Sequence, residues 1–229
     1  MSDPSVTASA SSPEAPEPQP AGVADITTAA TTTVGPRKRP KPGERRVQIL
    51  QTLASMLEQP GSDRITTAAL AARLDVSEAA LYRHFASKAQ MFEGLIEFIE
   101  SSVFTLVNQI AEREPSGTAQ AQKIMTALLQ FGEKNPGMTR VMVGDALVFE
   151  HERLLTRMNQ FFDRIESSLR QSLRTAADSA GSVTPTVDGN IQASVLTAFA
   201  VGRLQRYARS GFKRSPTEHL DAALNLLGK

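Results

Sequence analysis

Apolar residues recur every three or four positions along much of the chain, which is the spacing that places them on one face of an α-helix. Such stripes run through residues 49–57, 92–110, 124–131, 154–173 and 191–204. Clusters of Gly, Pro and Asn separate the stripes, as is typical where helices end. No segment alternates apolar and polar residues for long enough to indicate a sheet. The pattern therefore predicts an all-α protein with about nine or ten helices.

The last two long stripes predict helices over 154–173 and 191–207, separated by a loop rich in Ser, Ala, Gly and Thr at about 177–188. We expect Pro216 to open a short final helix. Two amphipathic helices from each of two chains can build a four-helix homodimer interface. The alternative is that their apolar residues form the core of a single chain. The candidate interface residues are Phe161, Phe162, Val195, Phe199 and Leu204.

Residues 65–85 have the pattern of two short helices joined by a tight turn. Thr66 and Ser77 are suitable N-caps for the two helices, and residues 74–76 leave room for a turn only. Asp75 lies where Gly is common, and Asp tolerates a left-handed backbone better than most residues. This is the arrangement of a helix-turn-helix unit, whose second helix enters the major groove of DNA. The residues expected to point inward are Ala69, Leu70, Leu74, Leu81 and Phe85.

The exposed positions of this unit carry side chains that suit a DNA duplex. Hydroxyls and free amides at helix starts hold phosphates, and Arg83 can reach either a base edge or a phosphate. His84 fits a phosphate contact or a plain surface position, and Glu78 can cap its helix, orient an arginine or read cytosine. Lys88 opposes the dipole of the helix that it begins, which a nearby phosphate would relieve. The candidate DNA contacts are Thr66, Thr67, Ser77, Glu78, Ala79, Tyr82, Arg83, His84 and Lys88.

Charge is distributed unevenly along a chain whose formal net charge is only +1. Residues 1–36 hold four acids, six prolines and no Lys or Arg, so we expect residues 1–42 to form a disordered tail that ends in a basic arm. Six of the ten residues 37–46 are basic, a run that fits either a solvated linker or an arm lying on phosphate. Residues 37–88 carry a net charge of +5, the local asymmetry expected of a nucleic-acid-binding module.

Composition and motifs argue against several functional classes. The absence of Cys excludes disulfides, thiolate metal sites and a cysteine nucleophile. No apolar run approaches the roughly 18–20 residues of a membrane helix, and we expect a soluble cytoplasmic protein. The three His are far apart, His151-Glu152 lacks the second His of a zinc-protease helix, and no Gly-rich nucleotide loop occurs. We therefore expect no enzyme, no metal and no cofactor.

Residues 81–88, Leu-Tyr-Arg-His-Phe-Ala-Ser-Lys, resemble the signature of the TetR family of bacterial DNA-binding proteins. We accordingly expect a helix-turn-helix domain over 43–88 and a helical dimerisation and partner-binding domain over 89–229. Further blocks in both domains are similar to the nucleoid occlusion factors of that family. These blocks are 64–67, 76–85, 95–100, 132–137, 146–150, 211–213 and 216–217.

This resemblance implies a nucleoid-associated homodimer that binds palindromic chromosomal DNA, with one or more dimers per site. It also implies that the DNA-bound protein antagonises polymers of FtsZ, the tubulin-like division protein, so that no septum closes over the nucleoid. The FtsZ-facing residues would then be Phe98, Glu133, Lys134 and Asn135. From the residue pattern alone, Phe98 could equally lie in the core, and the other three residues could simply form the end of a helix and its turn. The alternative function is a ligand-responsive TetR-type repressor, which requires a closed pocket in the C-terminal domain.

Overall fold

The structure is a computed structural model that describes residues 43–59 and 64–227. The disordered tail and basic arm expected within residues 1–42 lie outside these ranges. The described residues form nine α-helices and one 3₁₀ helix (Asp145–Leu147) and contain no strand, so the all-α prediction is confirmed. The α-helices are α1 (Glu44–Leu57), α2 (Thr67–Arg73), α3 (Glu78–Tyr82), α4 (Lys88–Arg113), α5 (Gly117–Lys134), α6 (Pro136–Met142), α7 (Glu152–Ser179), α8 (Pro185–Arg209) and α9 (Leu220–Leu227).

Hydroxyl side chains set where α2, α3 and α4 begin. The Thr66 hydroxyl accepts a hydrogen bond from the amide of Ala69 at 3.1 Å, and the Ser77 hydroxyl accepts one from the amide of Ala80 at 3.3 Å. Ser87 caps α4 in the same way. Each cap satisfies an amide that has no partner inside its helix, which is typically worth about 1 kcal/mol.

The helices α1, α2 and α3 share a small apolar core. Its fully buried side chains are Ile49, Leu53, Leu70, Leu81 and Phe85. The prediction that Ala69 faces inward is wrong, because Ala69 is exposed and Ala71 is buried instead. Since α2 is built largely of alanine, its apolar pattern does not distinguish one face from another. Contact with the neighbouring helices selects the buried side.

The 26-residue helix α4 continues from this small domain into the second half of the chain. One face of α4 is buried along most of its length, and it packs against α5 and α7. The helices α7 and α8 run antiparallel and form the most extensive helix pair. The buried residues of α4 are Met91, Phe92, Gly94, Leu95, Ile96, Ile99, Val103 and Val107.

Two predicted boundaries differ from the structure. The loop expected at 177–188 is shorter, because α7 continues to Ser179 and α8 already begins at Pro185. Proline suits the first helical position, where no intrahelical partner for its amide is needed. Pro216 does not open the final helix: it is buried in a turn, and α9 begins at Leu220. Three residues after Pro216, the backbone of His219 has a left-handed φ of 52°, so no helix can run continuously from Pro216 into α9.

Two glycines allow helices to approach at backbone contact distance. A Cβ atom on Gly117 would lie 2.1 Å from the carbonyl oxygen of Ser172, and one on Gly137 would lie 2.0 Å from that of Ala54. Gly117 therefore lets α5 begin directly against α7. Gly137 lets α6 pack directly on α1, so this contact joins the first three helices to the rest of the fold.

Replacing Gly137 with alanine should lower the free energy of unfolding by about 2–3 kcal/mol, because the methyl group would overlap a backbone carbonyl of α1. Gly94→Ala is the control. A Cβ atom there would lie 3.1 Å from the flexible ends of Leu50 and 3.5 Å, an ordinary contact distance, from the Phe85 ring. The gain in helix propensity of about 1 kcal/mol offsets the repacking. Chemical denaturation of both variants measures the difference. Unchanged stability of Gly137→Ala would contradict the close α1–α6 contact.

Candidate nucleic-acid interface

A three-residue turn sets the angle between α2 and α3. Its central residue, Asp75, has a φ of 55°, which is the left-handed conformation expected from the sequence. The amide of Val76 returns to the carbonyl of Ala71 at 3.1 Å, and the amide of Leu74 bonds to the carbonyls of Leu70 and Ala71. These bonds close the end of α2 and direct the chain into α3.

The start and outer face of α3 point away from the core. Ser77, Glu78, Ala79, Arg83 and His84 are all exposed. The Tyr82 side chain is 45% exposed, and Thr66 and Thr67 at the start of α2 are exposed and half-buried, respectively. Eight of the nine candidate contacts therefore lie on the two helices in positions that a duplex can reach; the ninth, Lys88, lies elsewhere.

A hydrogen bond between the two helices assigns a role to Glu78. The Thr67 hydroxyl donates to the Glu78 carboxylate at 2.5 Å, and the Tyr82 hydroxyl lies 3.5 Å from the same Thr67 oxygen. From sequence, Glu78 could cap its helix, orient an arginine or read cytosine. In the structure its carboxylate instead positions the hydroxyl of Thr67, a partner that the sequence did not suggest. The bond ties α3 to the start of α2 and places the Thr67 and Tyr82 hydroxyls side by side on the exposed face.

Arg46 contributes to this surface although the charge pattern assigned it to the basic arm. It lies within α1, and its guanidinium stacks 4.1 Å from the centre of the Phe85 ring. It also donates a hydrogen bond to the carbonyl of His84 at 2.7 Å. Arg46 therefore fixes the backbone at the end of the helix-turn-helix unit. The only signal in the sequence for this position is that Arg46 lies three residues before Ile49, so it falls on the same side of the first predicted helix.

Lys88 has a partner within the chain that the sequence did not indicate. Its ammonium forms an ion pair with Glu150, and the Lys88 and Glu150 side chains are only 24% and 9% exposed. The ammonium also lies 5.6 Å from the centre of the Phe92 ring. Glu150, 62 residues away, supplies the negative charge near the helix dipole that the sequence assigned to a phosphate, and the phosphate contact of Lys88 stays a prediction.

The Lys88–Glu150 pair is the first of three ion pairs that connect α4 to the start of α7 and the residues before it. Arg153 bonds to Glu93 at 2.7 Å. Arg157 makes two hydrogen bonds to Glu100, at 2.6 and 3.1 Å. Hydrogen bonding to Glu100 raises the pKa of Arg157 above its usual value despite partial desolvation. The three pairs are distributed along α4 from its first turn to Glu100, two residues beyond Phe98.

The four residues expected to face a protein partner fall into two groups. Phe98 is 48% exposed and Lys134 is exposed. Asn135 is half-buried and caps α5 by donating to the carbonyl of Phe131 at 2.7 Å. Glu133 is not free, since its carboxylate accepts hydrogen bonds from the hydroxyls of Ser215 and Thr217. Its carboxylate anchors the loop between α8 and α9, and its contact with a protein partner stays a prediction.

Tyr207 reinforces this anchor. Its hydroxyl donates to the main-chain carbonyl of Glu133 at 3.0 Å. Burial raises the pKa of Tyr207, and the nearby carboxylates of Glu133 and Glu58 add to the shift. The phenol therefore keeps its proton and remains a hydrogen-bond donor.

The five candidate dimer residues differ in how far they are buried within one chain. Phe161 and Leu204 are completely buried within one chain, and Phe161 packs edge-on against Phe104 and Phe162. These two residues therefore belong to the intrachain core, and their prediction as interface residues is wrong. Phe162 and Phe199 are half-buried, and Val195 is 46% exposed.

Sequence reasoning missed two interface candidates on α8. Val187 and Ile191 are 53% and 59% exposed and lie on the same helix face as Val195, four residues apart. Their four-residue spacing was visible in the sequence. It indicated an apolar face without showing whether that face meets the same chain or another.

Among the described residues, no helix combines the length and apolar character needed to cross a bilayer. In the same part of the chain, no group of three or more His, Asp or Glu side chains could hold a metal ion.

Two family models match the chain. The model of bacterial regulatory proteins of the tetR family matches residues 49–95. The model of the SlmA-like C-terminal domain, described as tetracyclin repressor-like, matches residues 117–229. The first match includes the helix-turn-helix unit, and the second includes α5 to α9.

Solved structures with similar folds include the MbdR regulator from Azoarcus sp. CIB. Its TM-score is 0.66 at 18% identity, covering 80% of this chain and 96% of that chain. The fatty acid degradation regulator FadR from Bacillus halodurans also has a TM-score of 0.66, at 14% identity, covering 82% and 97% of the two chains. At these identities the likeness concerns the fold alone.

Similar sequences include three proteins named nucleoid occlusion factor SlmA. The protein of Idiomarina loihiensis is 52% identical over 178 residues, which is 78% of this chain and 90% of that protein. The protein of Photobacterium profundum is 52% identical, covering 82% and 95%, and that of Escherichia fergusonii is 53% identical, covering 80% and 92%. With both halves of the fold included in these matches, the chain belongs to the TetR family and, within it, to the SlmA-type nucleoid occlusion factors.

Proposed function

We propose that this protein is a DNA-associated inhibitor of cell division. As a homodimer in the cytoplasm, it binds palindromic sites on the nucleoid, with one or more dimers per site. When bound to DNA it binds FtsZ and disrupts FtsZ polymers, which prevents a septum from forming over the chromosome. The observation that carries the proposal is 52–53% identity to nucleoid occlusion factors across 90–95% of their length, including the C-terminal helices.

The exposed face of α2 and α3 supports the DNA-binding part. Thr66, Tyr82 and Arg83 are exposed, and Thr67 is half-buried beside them. Hydroxyl and guanidinium groups at a helix-turn-helix are suited to phosphate oxygens and base edges. Amides at the starts of α2 and α3 can add further phosphate contacts.

The unpartnered apolar face of α8 supports the homodimer. Val187, Ile191 and Val195 repeat along one side of the helix. Further along α8, a methyl group on Gly202 would lie more than 4 Å from every other described helix and from all side chains beyond its own chain neighbours. A two-fold axis along α7 and α8 would pair this face with itself. Two recognition helices must lie roughly 34 Å apart to enter successive major grooves on one side of a duplex, and such a dimer can provide that spacing.

Helix α4 supports a connection between DNA and FtsZ. It begins directly after the helix-turn-helix unit, and it carries Phe98 about three turns further on. The three ion pairs to Glu150, Arg153 and Arg157 hold this part of α4 to the C-terminal helices. A change in the position of α3 on DNA would therefore reach the surface around Phe98 through one continuous helix. Exposed Lys134 at the end of α5 extends the proposed FtsZ surface.

The close packing of the C-terminal helices favours this function over a ligand-responsive repressor. Phe92 and Phe161 are fully buried between α4 and α7. Gly117 brings α5 into backbone contact with α7. A repressor of the TetR type would need a closed, ligand-sized space among these helices. The space of about 590 Å³ that Thr118, Leu173 and Ile191 help to line is open to solvent rather than enclosed.

Tyr82→Phe should weaken binding to a duplex by roughly three- to tenfold, because it removes one hydroxyl that can donate to phosphate. The thermal unfolding temperature should not change, since the side chain is 45% exposed. Fluorescence anisotropy with a duplex selected from a random pool by the wild-type protein measures the affinity. The other tyrosine provides the matched control: Tyr207→Phe should lower stability and leave DNA affinity unchanged. Wild-type affinity in Tyr82→Phe would contradict the assigned contact.

Val195→Glu should convert the dimer to a monomer, because it places a charge in an interface that excludes water. Analytical ultracentrifugation measures the change, and circular dichroism checks that the helices remain. Val183→Glu is the control, since Val183 is 96% exposed in the turn between α7 and α8 and should leave the dimer intact. If Val195→Glu dimerises as tightly as the wild-type protein, the dimer interface does not include this face of α8.

FtsZ polymers should sediment less when the protein and the selected duplex are both present, and as usual when either is omitted. Phe98→Ala should abolish the effect while DNA affinity stays at the wild-type value, because an exposed aromatic residue is a typical anchor of a protein interface. Phe149→Ala, at a phenylalanine that is 67% exposed, is the matched control and should retain the effect. Normal sedimentation with wild-type protein and duplex would favour the repressor instead.

A further inference from the structure

A basic cavity lies where α8 ends and the loop toward α9 begins. Its volume is about 390 Å³. Four of its six lining residues are cationic and one is acidic, which gives the lining a formal charge of +3. The lining residues are Arg203, Arg206, Lys213, Arg214, Ser215 and Glu218.

Three of the four cations have no partner within the fold. Arg203 is held in place, since it donates to the carbonyl of Glu218 at 2.9 Å and its guanidinium lies 4.9 Å from the centre of the Phe199 ring. The side chains of Arg206, Lys213 and Arg214 make no hydrogen bond or ion pair with any residue that the structure describes. By contrast, the cations between α4 and α7 are each paired with a carboxylate.

The loop that carries Lys213 and Arg214 is held in place at its start. Gly211 and Phe212 both have left-handed backbones, with φ of 62° and 63°, and the Phe212 ring packs edge-on against Tyr207 at 5.2 Å. The Ser210 hydroxyl accepts hydrogen bonds from the amides of Lys213 at 3.1 Å and Arg214 at 2.9 Å. A bulky residue with positive φ is strained, and such strain persists where the surroundings fix the conformation.

The far end of the loop is also anchored. The hydroxyls of Ser215 and Thr217 donate to the carboxylate of Glu133 on α5, and Pro216 between them is buried. The fold thus fixes the loop backbone at both ends and leaves its charged side chains unpaired. Neighbouring like charges repel each other, and a multivalent anion placed among them would relieve that repulsion.

We propose that this cavity binds a compact polyphosphate, of the kind carried by a nucleoside triphosphate. Three unpaired cations and a fixed arginine match the several charges of such a group, since Arg and Lys side chains are the usual partners of phosphate oxygens. The volume falls within the range of small-molecule sites. A concave site of this size suits a small anion better than the extended backbone of a duplex. The proposal is independent of the assignments made for α2–α3 and for Phe98.

Isothermal titration calorimetry of the full chain with inorganic tripolyphosphate, and then with ATP, tests the proposal. The double variant Arg206→Gln/Arg214→Gln should bind tripolyphosphate at least about tenfold more weakly than wild type, since charge-assisted hydrogen bonds are lost. The matched control is Arg113→Gln/Arg174→Gln, which removes the same charge at exposed positions outside the cavity and should change the affinity less than twofold. Thermal unfolding checks that both variants are folded.

Three results would overturn the proposal. The first is equal weakening in the two double variants, which would indicate a general effect of net charge. The second is absence of tripolyphosphate binding, or binding no tighter than that of sulfate at the same ionic strength. The third is loss of duplex affinity in Arg206→Gln/Arg214→Gln with tripolyphosphate affinity retained, which would make the cluster a DNA contact.

Discussion

The arrangement of the molecule depends on the burial of α4. This helix starts at the end of the helix-turn-helix unit, and its apolar face lies in the core formed with α5 and α7. One continuous helix therefore joins the end of the helix-turn-helix unit to the surface around Phe98. The ion pairs of Glu93 and Glu100 with α7, and the contact of Gly137 with α1, hold these parts of the fold together.

Long-range partners determine which charged residues are available to other molecules. Glu78, Lys88 and Glu133 are all polar residues in positions that local patterns expose. In the fold each of them is committed: Glu78 to Thr67, Lys88 to Glu150, and Glu133 to Ser215 and Thr217. The cations at the end of α8 are the reverse case, because the same kind of residue is left without a partner on a fixed loop.

Much of the helix-turn-helix surface could be predicted because its information is local. Thr66 and Ser77 act as caps within three residues of their own positions, and Asp75 adopts a left-handed backbone that its own side chain tolerates. The dimer surface could not be predicted to the same degree. Phe161 and Val195 lie on similar apolar stripes, yet Phe161 is buried by α4 of its own chain and Val195 is not.

The sequence by itself determined the helical class, the positions of most helices and the caps and turn of the helix-turn-helix unit, since spacing and capping act between residues close in the chain. The tertiary structure decided which residue each charge pairs with and which apolar stripe is left uncovered. Those outcomes depend on contacts such as Lys88 with Glu150 and Glu133 with Ser215, which join residues 62 and 82 positions apart. No local pattern specifies which distant side chain will fill the space beside a given residue.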